Sequence, residues 1–198
     1  MPEPIHPDRE LSPNQLAKRQ RLVTAALTVL RRDGINGCTS RAIARESGIN
    51  NGLIHYYFDT VDAIVDAAMW QLVDEIVSRI RTASERSEDP AERFWSVVEA
   101  HLDAFESPEG QTVLWMDYWV EAVRNGRTEI IGHIDDLVIK ALTSALRAAD
   151  VPEPKTRARA ICAYVTGAAI RRRIRRQTRA QLRAEILTMS GDISPARC

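Results

Sequence analysis

Cysteine is scarce in this sequence, and its few occurrences exclude two common ways of stabilising a small protein. Cys38, Cys162 and Cys198 are odd in number and far apart, and none has a second Cys or His at ligand spacing. A disulfide framework and a zinc site are therefore not expected. The prediction is two packed thiols, one thiol in a loose tail, and no metal or other cofactor.

Long apolar runs are also missing. No stretch reaches the roughly 18 apolar residues needed to span a bilayer. The N-terminus, from Met1 to Pro7, lacks the basic-then-apolar order of a signal peptide. These absences predict a soluble, cytoplasmic protein. Its 198 residues, of which 44% are apolar, suffice for one small module plus one larger bundle.

Neither charge sign dominates, but the charges are unevenly placed. The chain has 27 Lys and Arg against 27 Asp and Glu. Residues 1–60 hold eight basic and six acidic side chains, residues 61–154 hold eight and nineteen, and residues 155–183 hold ten and none. Because binding to DNA depends on the local potential at the phosphates, a net charge of zero does not exclude it.

Helical signals recur throughout and no stretch shows sustained strand alternation, so an all-α fold is predicted. Residues 1–11 are proline-rich and are expected to be a disordered arm. Ser12-Pro13-Asn14-Gln15 then predicts a capped helix that runs to about Asp33 and stops at Gly34. Thr39 and Thr60 are predicted caps of later helices. Further helices are expected from Val61, from Asp89-Pro90 to a break at Ser107-Pro108, and near 109–124, 127–149 and 154–189, the last interrupted near Gln177.

Residues 39–58 predict two short helices joined by a tight turn. Gly48 can adopt the left-handed backbone that ends a helix, and Asn50 can cap the helix that follows. Ile43, Ala44 and Ser47 are predicted to face inward, and Asn51, His55 and Tyr56 to point outward. This is the layout of a helix-turn-helix DNA reader. The alternative is an ordinary corner in a helical bundle.

The stretch from Leu22 to Met69 resembles the DNA-binding end of the TetR family of bacterial one-component repressors. The matching positions are Ala25-Ala26, Leu30, Gly34, Thr39, Ile43-Ala44, Gly48-Ile49, Gly52, Tyr56-Tyr57-Phe58 and Ile64. The resemblance implies a helix-turn-helix DNA-binding domain over residues 12–62 and a larger effector-binding and dimerisation bundle over residues 63–190, with a frayed tail over 191–198. Family members usually carry Tyr at His55 and a phosphate-binding Lys at Val61, so that phosphate contact is not assigned here.

In the helix-turn-helix mode the second helix enters the major groove, and the start of each helix lies nearest the duplex. The predicted DNA-binding residues are Thr39, Ser40, Arg41, Asn50, Asn51, Gly52, Leu53, His55, Tyr56 and Tyr57. The Asn side chains suit adenine, and Leu53 suits a thymine methyl. By resemblance, Arg41 occupies a position where some family members read guanine. The alternative for Arg41 is a solvated surface charge.

One short recognition helix reads only a few base pairs, so a homodimer on an inverted repeat is expected. The candidate dimer face combines two apolar stripes within residues 134–146 and 161–174, although both could instead be core of the single chain. The Arg-rich run from Arg171 to Arg183 is interpreted as offsetting the acidic middle of the chain or of its dimer mate. A second nucleic-acid surface is the alternative.

Aromatic residues concentrate in the central helices. The predicted ligand-binding residues are Trp95, His101, Phe105, Trp115, Met116, Tyr118, Trp119 and Tyr164, although ordinary core packing would also explain them. Residues 114–122 and 165–171 resemble the betaine-pathway repressor subgroup, which responds to choline. That resemblance implies a quaternary ammonium effector held on aromatic faces near Asp117 or Glu121.

The sequence therefore predicts a ligand-responsive transcriptional regulator, most simply a repressor released from its operator by an effector. One rival is an enzyme that uses His101 with Glu99, Asp103 or Glu106. No combination of nucleophile, base and orienting group is visible for it, and no glycine-rich phosphate loop occurs. The other rival is an effector-independent DNA-binding or architectural helical protein.

Overall fold

The computed structural model describes residues 11–106, 111–172, 174–191 and 193. Over these residues the chain forms nine α-helices and no strand, which confirms the all-α prediction. In chain order they are α1 (Pro13–Gly37), α2 (Ser40–Ser47), α3 (Asn51–Tyr57), α4 (Val61–Ser84), α5 (Pro90–Phe105), α6 (Gln111–Arg124), α7 (Glu129–Ala148), α8 (Pro154–Arg171) and α9 (Arg179–Ser190).

Some predictions fall outside these residues. They are the disordered arm before Leu11, the break at Ser107-Pro108, Cys198 and all of the frayed tail except Gly191 and Ile193. Among the described helices, none combines the length and the apolar character that a membrane crossing requires.

Side-chain caps start most of the early helices where the sequence predicts them. Ser12 and Gln15 form a reciprocal capping box at α1, with the Ser12 N–H donating to Gln15 Oε1 at 2.8 Å. Thr39 Oγ1 accepts from the Ala42 N–H at 3.2 Å, and Thr60 Oγ1 accepts from the Ala63 N–H at 3.1 Å. These bonds satisfy N–H groups that have no partner inside their helices.

The helix boundaries at Gly34 and Gln177 are also confirmed. Gly34 has φ 71° and ψ −177°, a conformation that interrupts α1, and only a short helical segment follows it. The predicted segment over 154–189 is divided into α8 and α9. Thr178 and Gln181 form a second capping box, so a new helix begins where the sequence places the interruption.

The chain divides into two compact units. The first consists of Met1–Asp74 with Pro108–Arg127, and the second of Glu75–Ser107 with Thr128–Cys198. Helix α6 thus belongs with the N-terminal helices, and in the first unit α1 packs against both α2 and α6. The expected functional boundary near residue 62 stays a prediction.

In the second unit, α7 packs against α5 and α8, and α9 packs against α8. Four residues of the α7 stripe are buried by these contacts, namely Val138, Leu142, Ala145 and Leu146. At these positions the alternative interpretation is correct, and the stripe is core of the single chain. Cys162 is buried in the same unit and Cys38 in the first, as predicted for two packed thiols, and burial raises the pKa of each to about 12.

The Arg-rich run contributes most of the ion pairs of the second unit. Arg179 on α9 contacts three carboxylates of α5 and its end, Glu99, Asp103 and Glu106, with 2.6 Å between Arg179 Nη2 and Asp103 Oδ1. Arg172 pairs with Glu106, and Arg183 reaches Glu99 at 3.4 Å. The interpretation that the run offsets acidic side chains is confirmed for these three arginines.

Candidate nucleic-acid interface and ligand-binding residues

The turn between α2 and α3 is fixed by one glycine and two polar side chains. Gly48 adopts the left-handed conformation, with φ 66° and ψ 19°. Ser47 Oγ donates to the Ala44 carbonyl and accepts from the Ile49 N–H, both at 3.2 Å. The side chains of Ile43 and Ile54 are buried and hold the two helices on the core. Ala42, rather than Ala44, is the buried alanine of α2, and Ala44 is only half-buried.

The outward side chains of this corner form one exposed set. Asn51, Gly52 and His55 on α3 are exposed, and Leu53 exposes 45% of its surface although it is apolar. On α2 and at its cap, Arg41 and Thr39 are exposed and Ser40 is half-buried. The structure thus brings the predicted DNA-binding residues of α2 and α3 together on one short motif and leaves most of them free of the core.

Besides Thr39, which caps α2, three of the predicted DNA-binding residues also have structural partners. Asn50 Oδ1 accepts from the Gly52 N–H at 2.9 Å. The Tyr56 hydroxyl accepts from Gln15 Nε2 at 2.7 Å, which ties α3 to the first turn of α1, and Tyr57 packs edge-on against Tyr56 at 5.0 Å. The contact to Gln15 was not predicted, because its two partners lie 41 residues apart in the chain.

Basic residues of α1 flank the motif. Lys18 and Arg21 are exposed, whereas Arg19 is half-buried with its guanidinium 4.6 Å from the centre of the Phe58 ring. Burial lowers the pKa of Arg19. The structure shows that Arg19 packs on the end of the recognition helix.

Residues 22–68, which include the whole corner, match the family model of bacterial regulatory proteins of the tetR family. The match covers 47 of the chain's 198 residues, so over its helix-turn-helix corner the chain is similar to TetR-family regulators.

Other similar proteins match over most of the chain. The HTH-type transcriptional regulator BetI of Cronobacter sakazakii is 25% identical over 183 residues, which cover 88% of each chain. A transcriptional regulator from Rhodococcus superposes with a TM-score of 0.74 at 24% identity, covering 88% of this chain and 95% of that one. A regulator from Saccharomonospora viridis, solved in complex with choline, gives a TM-score of 0.73 at 20% identity, covering 90% of this chain and 95% of that one.

The residues predicted to bind a ligand fall into both compact units. Trp115, Met116, Tyr118 and Trp119 lie on α6 in the first unit, and Trp95, His101, Phe105 and Tyr164 lie in the second. On α6, Trp115 and Tyr118 are buried edge-to-face at 6.3 Å, whereas Met116 and Trp119 expose about 40% of their surfaces.

Tyr118 connects α6 to the helix that follows the recognition helix. Its hydroxyl donates to Asp66 Oδ1 on α4 at 3.1 Å, and Arg127 donates to Asp66 Oδ2 at 2.7 Å. Arg127 also lies 3.7 Å from Asp62. Burial raises the pKa of Asp66, and the nearby Arg127 opposes that rise. The sequence alone does not indicate this cluster, because Tyr118 and Arg127 lie 52 and 61 residues from Asp66 and no local pattern connects them.

The four candidates of the second unit do not share one environment. The Trp95 ring is covered by the Arg183 guanidinium at 4.0 Å, and the Tyr164 hydroxyl donates to Glu185 on α9. His101 is buried, packs 5.5 Å from the Phe105 ring, and has no hydrogen-bond partner for its Nδ1. Burial lowers the pKa of His101 to about 4.

The geometry does not support the rival enzyme hypothesis, in which His101 acts with Glu99, Asp103 or Glu106, and it does not support a metal centre. The carboxylates of Glu99, Asp103 and Glu106 are bound by arginines, and His101 is buried without a polar partner. Within the described ranges, no group of three His, Cys, Asp or Glu side chains is arranged to hold a metal ion.

Proposed function

We propose that this chain is an effector-responsive repressor that binds an inverted-repeat operator as a homodimer. The observation that carries the proposal is the exposed face of α3, on which Asn51, Gly52, Leu53 and His55 follow a turn rigidly set by Gly48. A helix presented in this way can enter the major groove with its first residues at the base edges.

Hydrogen bonds inside the corner determine which of its polar side chains remain free to contact bases. Asn50 already uses its side-chain oxygen to cap α3, so it lacks the free acceptor that bidentate recognition of adenine needs. Asn51 has no such commitment and is the adenine reader in this proposal. Arg41 reads guanine and Leu53 contacts a thymine methyl, while Thr39, Ser40, His55, Tyr56 and Tyr57 position the motif on the backbone.

The dimer face of this proposal lies on α8. The side of α8 that is not packed in the chain carries small and apolar residues at heptad spacing. They are Ala160, Ala163, Gly167, Ile170 and, just beyond the helix, Ile174, which exposes 83% of its surface. Such a stripe suits close packing of two helices across a two-fold axis, and it includes the outward part of the stripe predicted over 161–174.

The effector of this proposal is a small quaternary ammonium compound that contacts the aromatic side chains of α6. The similarity to BetI and to a regulator solved with choline supports this class, and rings such as Trp115 and Trp119 can attract such a cation. Tyr118 and Arg127 bind Asp66 on α4, close behind the recognition helix, so a shift of α6 reaches the DNA-binding corner. A coupling of about 1–3 kcal/mol would give a usable response. The remaining ligand candidates, in the second unit, stay predictions.

The test is selection of DNA fragments by the purified full-length chain, followed by binding measurements over a salt titration. The expected result is an inverted repeat that is preferred over random duplex at every salt concentration and is released by choline. Its neutral isostere 3,3-dimethyl-1-butanol should release far less. Equal binding to all duplexes would instead identify the architectural alternative. A preferred repeat that neither compound releases would retain the DNA-binding proposal and reject the ammonium effector.

A further inference from the structure

The second unit contains a cavity that the proposed function does not use. It has a volume of about 360 Å³ and lies between the C-terminal part of α4, the first turns of α5 and the middle of α7. It includes none of the eight residues predicted to bind the effector. The cavity is therefore separate from the proposed effector site.

Its charged lining is entirely basic. Arg81, Arg93 and Lys140 line the cavity, and no Asp or Glu does. Over the ranges that the structure describes, none of the three side chains pairs with a carboxylate, unlike Arg172, Arg179 and Arg183 of the same unit. Arg93 Nε is buried without a hydrogen-bond partner. A buried donor on a cation is unfavourable unless an acceptor meets it, so this lining favours an anionic ligand.

Two hydroxyls accompany these cations. The Ser84 hydroxyl is already committed, since it donates to the Arg81 carbonyl at 2.7 Å. Ser144, on the opposite wall, is exposed and keeps its hydroxyl available as a further donor. The polar part of the cavity is thus equipped with donors, which is the arrangement that a carboxylate or phosphate needs.

The rest of the lining is apolar. Ile80, Val97 and Ala145 expose 1%, 0% and 3% of their surfaces and form the floor, beside Leu137 and Ala141. A ligand that matches both parts has an anionic head and a short apolar chain. Burial of that chain would tighten binding by roughly four-fold per methylene, which inorganic anions cannot gain.

A second cavity in the same unit shows the contrast. It has a volume of about 520 Å³ and is also lined by three arginines, among them Arg183. However, Glu99 and Asp103 line it too, and Arg183 is stacked on Trp95. Arg79 of this second cavity pairs with Glu75 and Arg183 pairs with Glu99. Of the two cavities, the one between α4, α5 and α7 is therefore the one whose charged lining is purely basic.

We infer that the cavity lined by Arg81, Arg93 and Lys140 binds a small organic anion, a carboxylate carrying a short aliphatic chain. This is a second ligand site, independent of the aromatic residues of α6. It holds whether or not the proposed effector is correct.

The experiment is calorimetric titration of the full-length chain with octanoate, 1-octanol and inorganic phosphate at low salt. Octanoate should bind at least about ten-fold more tightly than either of the others, because only it offers both a charge and a chain. The Arg93→Gln and Lys140→Gln variants should each weaken octanoate binding by about ten-fold, the scale of one charge-assisted hydrogen bond. Lys140 is exposed, so its variant tests the site even if Arg93→Gln perturbs folding.

The matched control is Arg79→Gln, which removes an exposed arginine two residues before Arg81 on α4 but outside this cavity. It should leave octanoate binding unchanged. Octanoate and octanol binding equally well, phosphate binding as tightly as octanoate, or equal losses in the three variants would each overturn the inference.

Discussion

Arg41 differs from most arginines of this chain in lying exposed on a short helix next to the turn of the reader motif. If it reads a base, Arg41→Ala should weaken operator binding by about 1–3 kcal/mol and relax the preference at one base pair of each half-site. Binding to the operator and to its single-base variants would be measured at fixed salt. Arg45→Ala, one turn further along α2, is the control and should leave the sequence preference intact. A uniform loss on all duplexes would assign Arg41 to the phosphates instead.

Gly48 is the position where the backbone most constrains the side chain. Its φ of 66° places it in the left-handed region, which disfavours any residue with a Cβ by roughly 1–2 kcal/mol. An added Cβ would also lie 3.0 Å from Arg21 Nη2, the end of a flexible side chain that can move aside. Gly48→Ala should therefore lower the free energy of unfolding by about 1–2 kcal/mol in chemical denaturation.

Gly132 provides the matched control for that measurement. It lies inside α7, and no atom is found within 4 Å of the position its Cβ would take. Gly132→Ala should raise stability by about 0.5–1 kcal/mol, because alanine favours helix and nothing obstructs it. A Gly48→Ala variant that is as stable as the wild type would show that the turn tolerates a different backbone.

His101 makes stability depend on pH. Burial lowers its pKa to about 4 from 6.5, so the unfolded chain binds a proton more readily than the folded one. Its contribution is fully present above pH 6.5 and is lost as the pH falls toward 4, by about 3 kcal/mol in total. His101→Leu removes the titrating group and its unpartnered Nδ1. Between pH 7 and 4 its free energy of unfolding should therefore fall less than that of the wild type. Denaturation between pH 7 and 4 would measure the difference, with His55→Gln on exposed α3 as the control. Parallel curves for the wild type and His101→Leu would contradict the assignment.

At the scale of the elements, the sequence predicts most starts and stops of helices because those signals are local. Ser12, Thr39, Asn50, Thr60 and Asp89 each sit within three residues of the N–H group they cap. Partners far apart in the chain leave no such signal. Helix α6 packs against α1, and Tyr118 and Arg127 hydrogen-bond to Asp66. Both features depend on tertiary packing, which hydrophobic periodicity does not specify.

The candidate site divides in the same way. The outward residues of α3 follow from helical geometry once Gly48 is taken as the turn, so the sequence places them correctly on the exposed side. The sequence does not reveal that the side-chain oxygen of Asn50 is already used as a cap acceptor, or that Tyr164 hydrogen-bonds to α9. The basic cavity is lined by three separate helices, and no sequence motif indicates it.

Helix α9 packs on α8 and is tied to α5 by charged side chains. Arg179 contacts three carboxylates and is two-thirds buried, so its pairs are screened less than fully exposed ones. Arg179→Gln should lower stability by about 1 kcal/mol at low salt, and the effect should shrink in 1 M salt. Thermal unfolding at both salt concentrations would measure it. Arg175→Gln, an exposed residue of the same run, should have little effect. An equal loss in both variants would mean that α9 does not depend on this cluster.

For the whole molecule, the net charge of zero conceals an uneven distribution of charged side chains between the two units. Three arginines of the basic run of residues 155–183, namely Arg172, Arg179 and Arg183, pair inside the second unit with acidic side chains of α5 and its end. In the proposed binding mode the charges nearest the DNA are Lys18, Arg21, Arg41 and Arg45 of the first unit, which are all exposed. Because their number is small, specific contacts must supplement phosphate attraction, and operator binding should depend less steeply on salt than in a strongly basic protein.

Dimerisation is the property on which recognition of an inverted repeat depends, and α8 offers a direct way to remove it. Ala163 is exposed at the centre of the small-residue stripe, where a two-fold axis would bring two copies into close contact. Ala163→Glu would place two like charges at that contact and should shift the chain from dimer to monomer in sedimentation velocity. It should also weaken operator binding by more than about ten-fold, because each half-site then binds alone.

Ala148→Glu is the control for this change, since it introduces the same side chain at another exposed alanine, in the last turn of α7. This variant should remain dimeric and bind the operator as the wild type does. Both variants should unfold at similar temperatures, which separates loss of the interface from loss of the fold. A dimeric Ala163→Glu would locate the interface elsewhere, and the unpacked apolar face of α8 would then need another explanation.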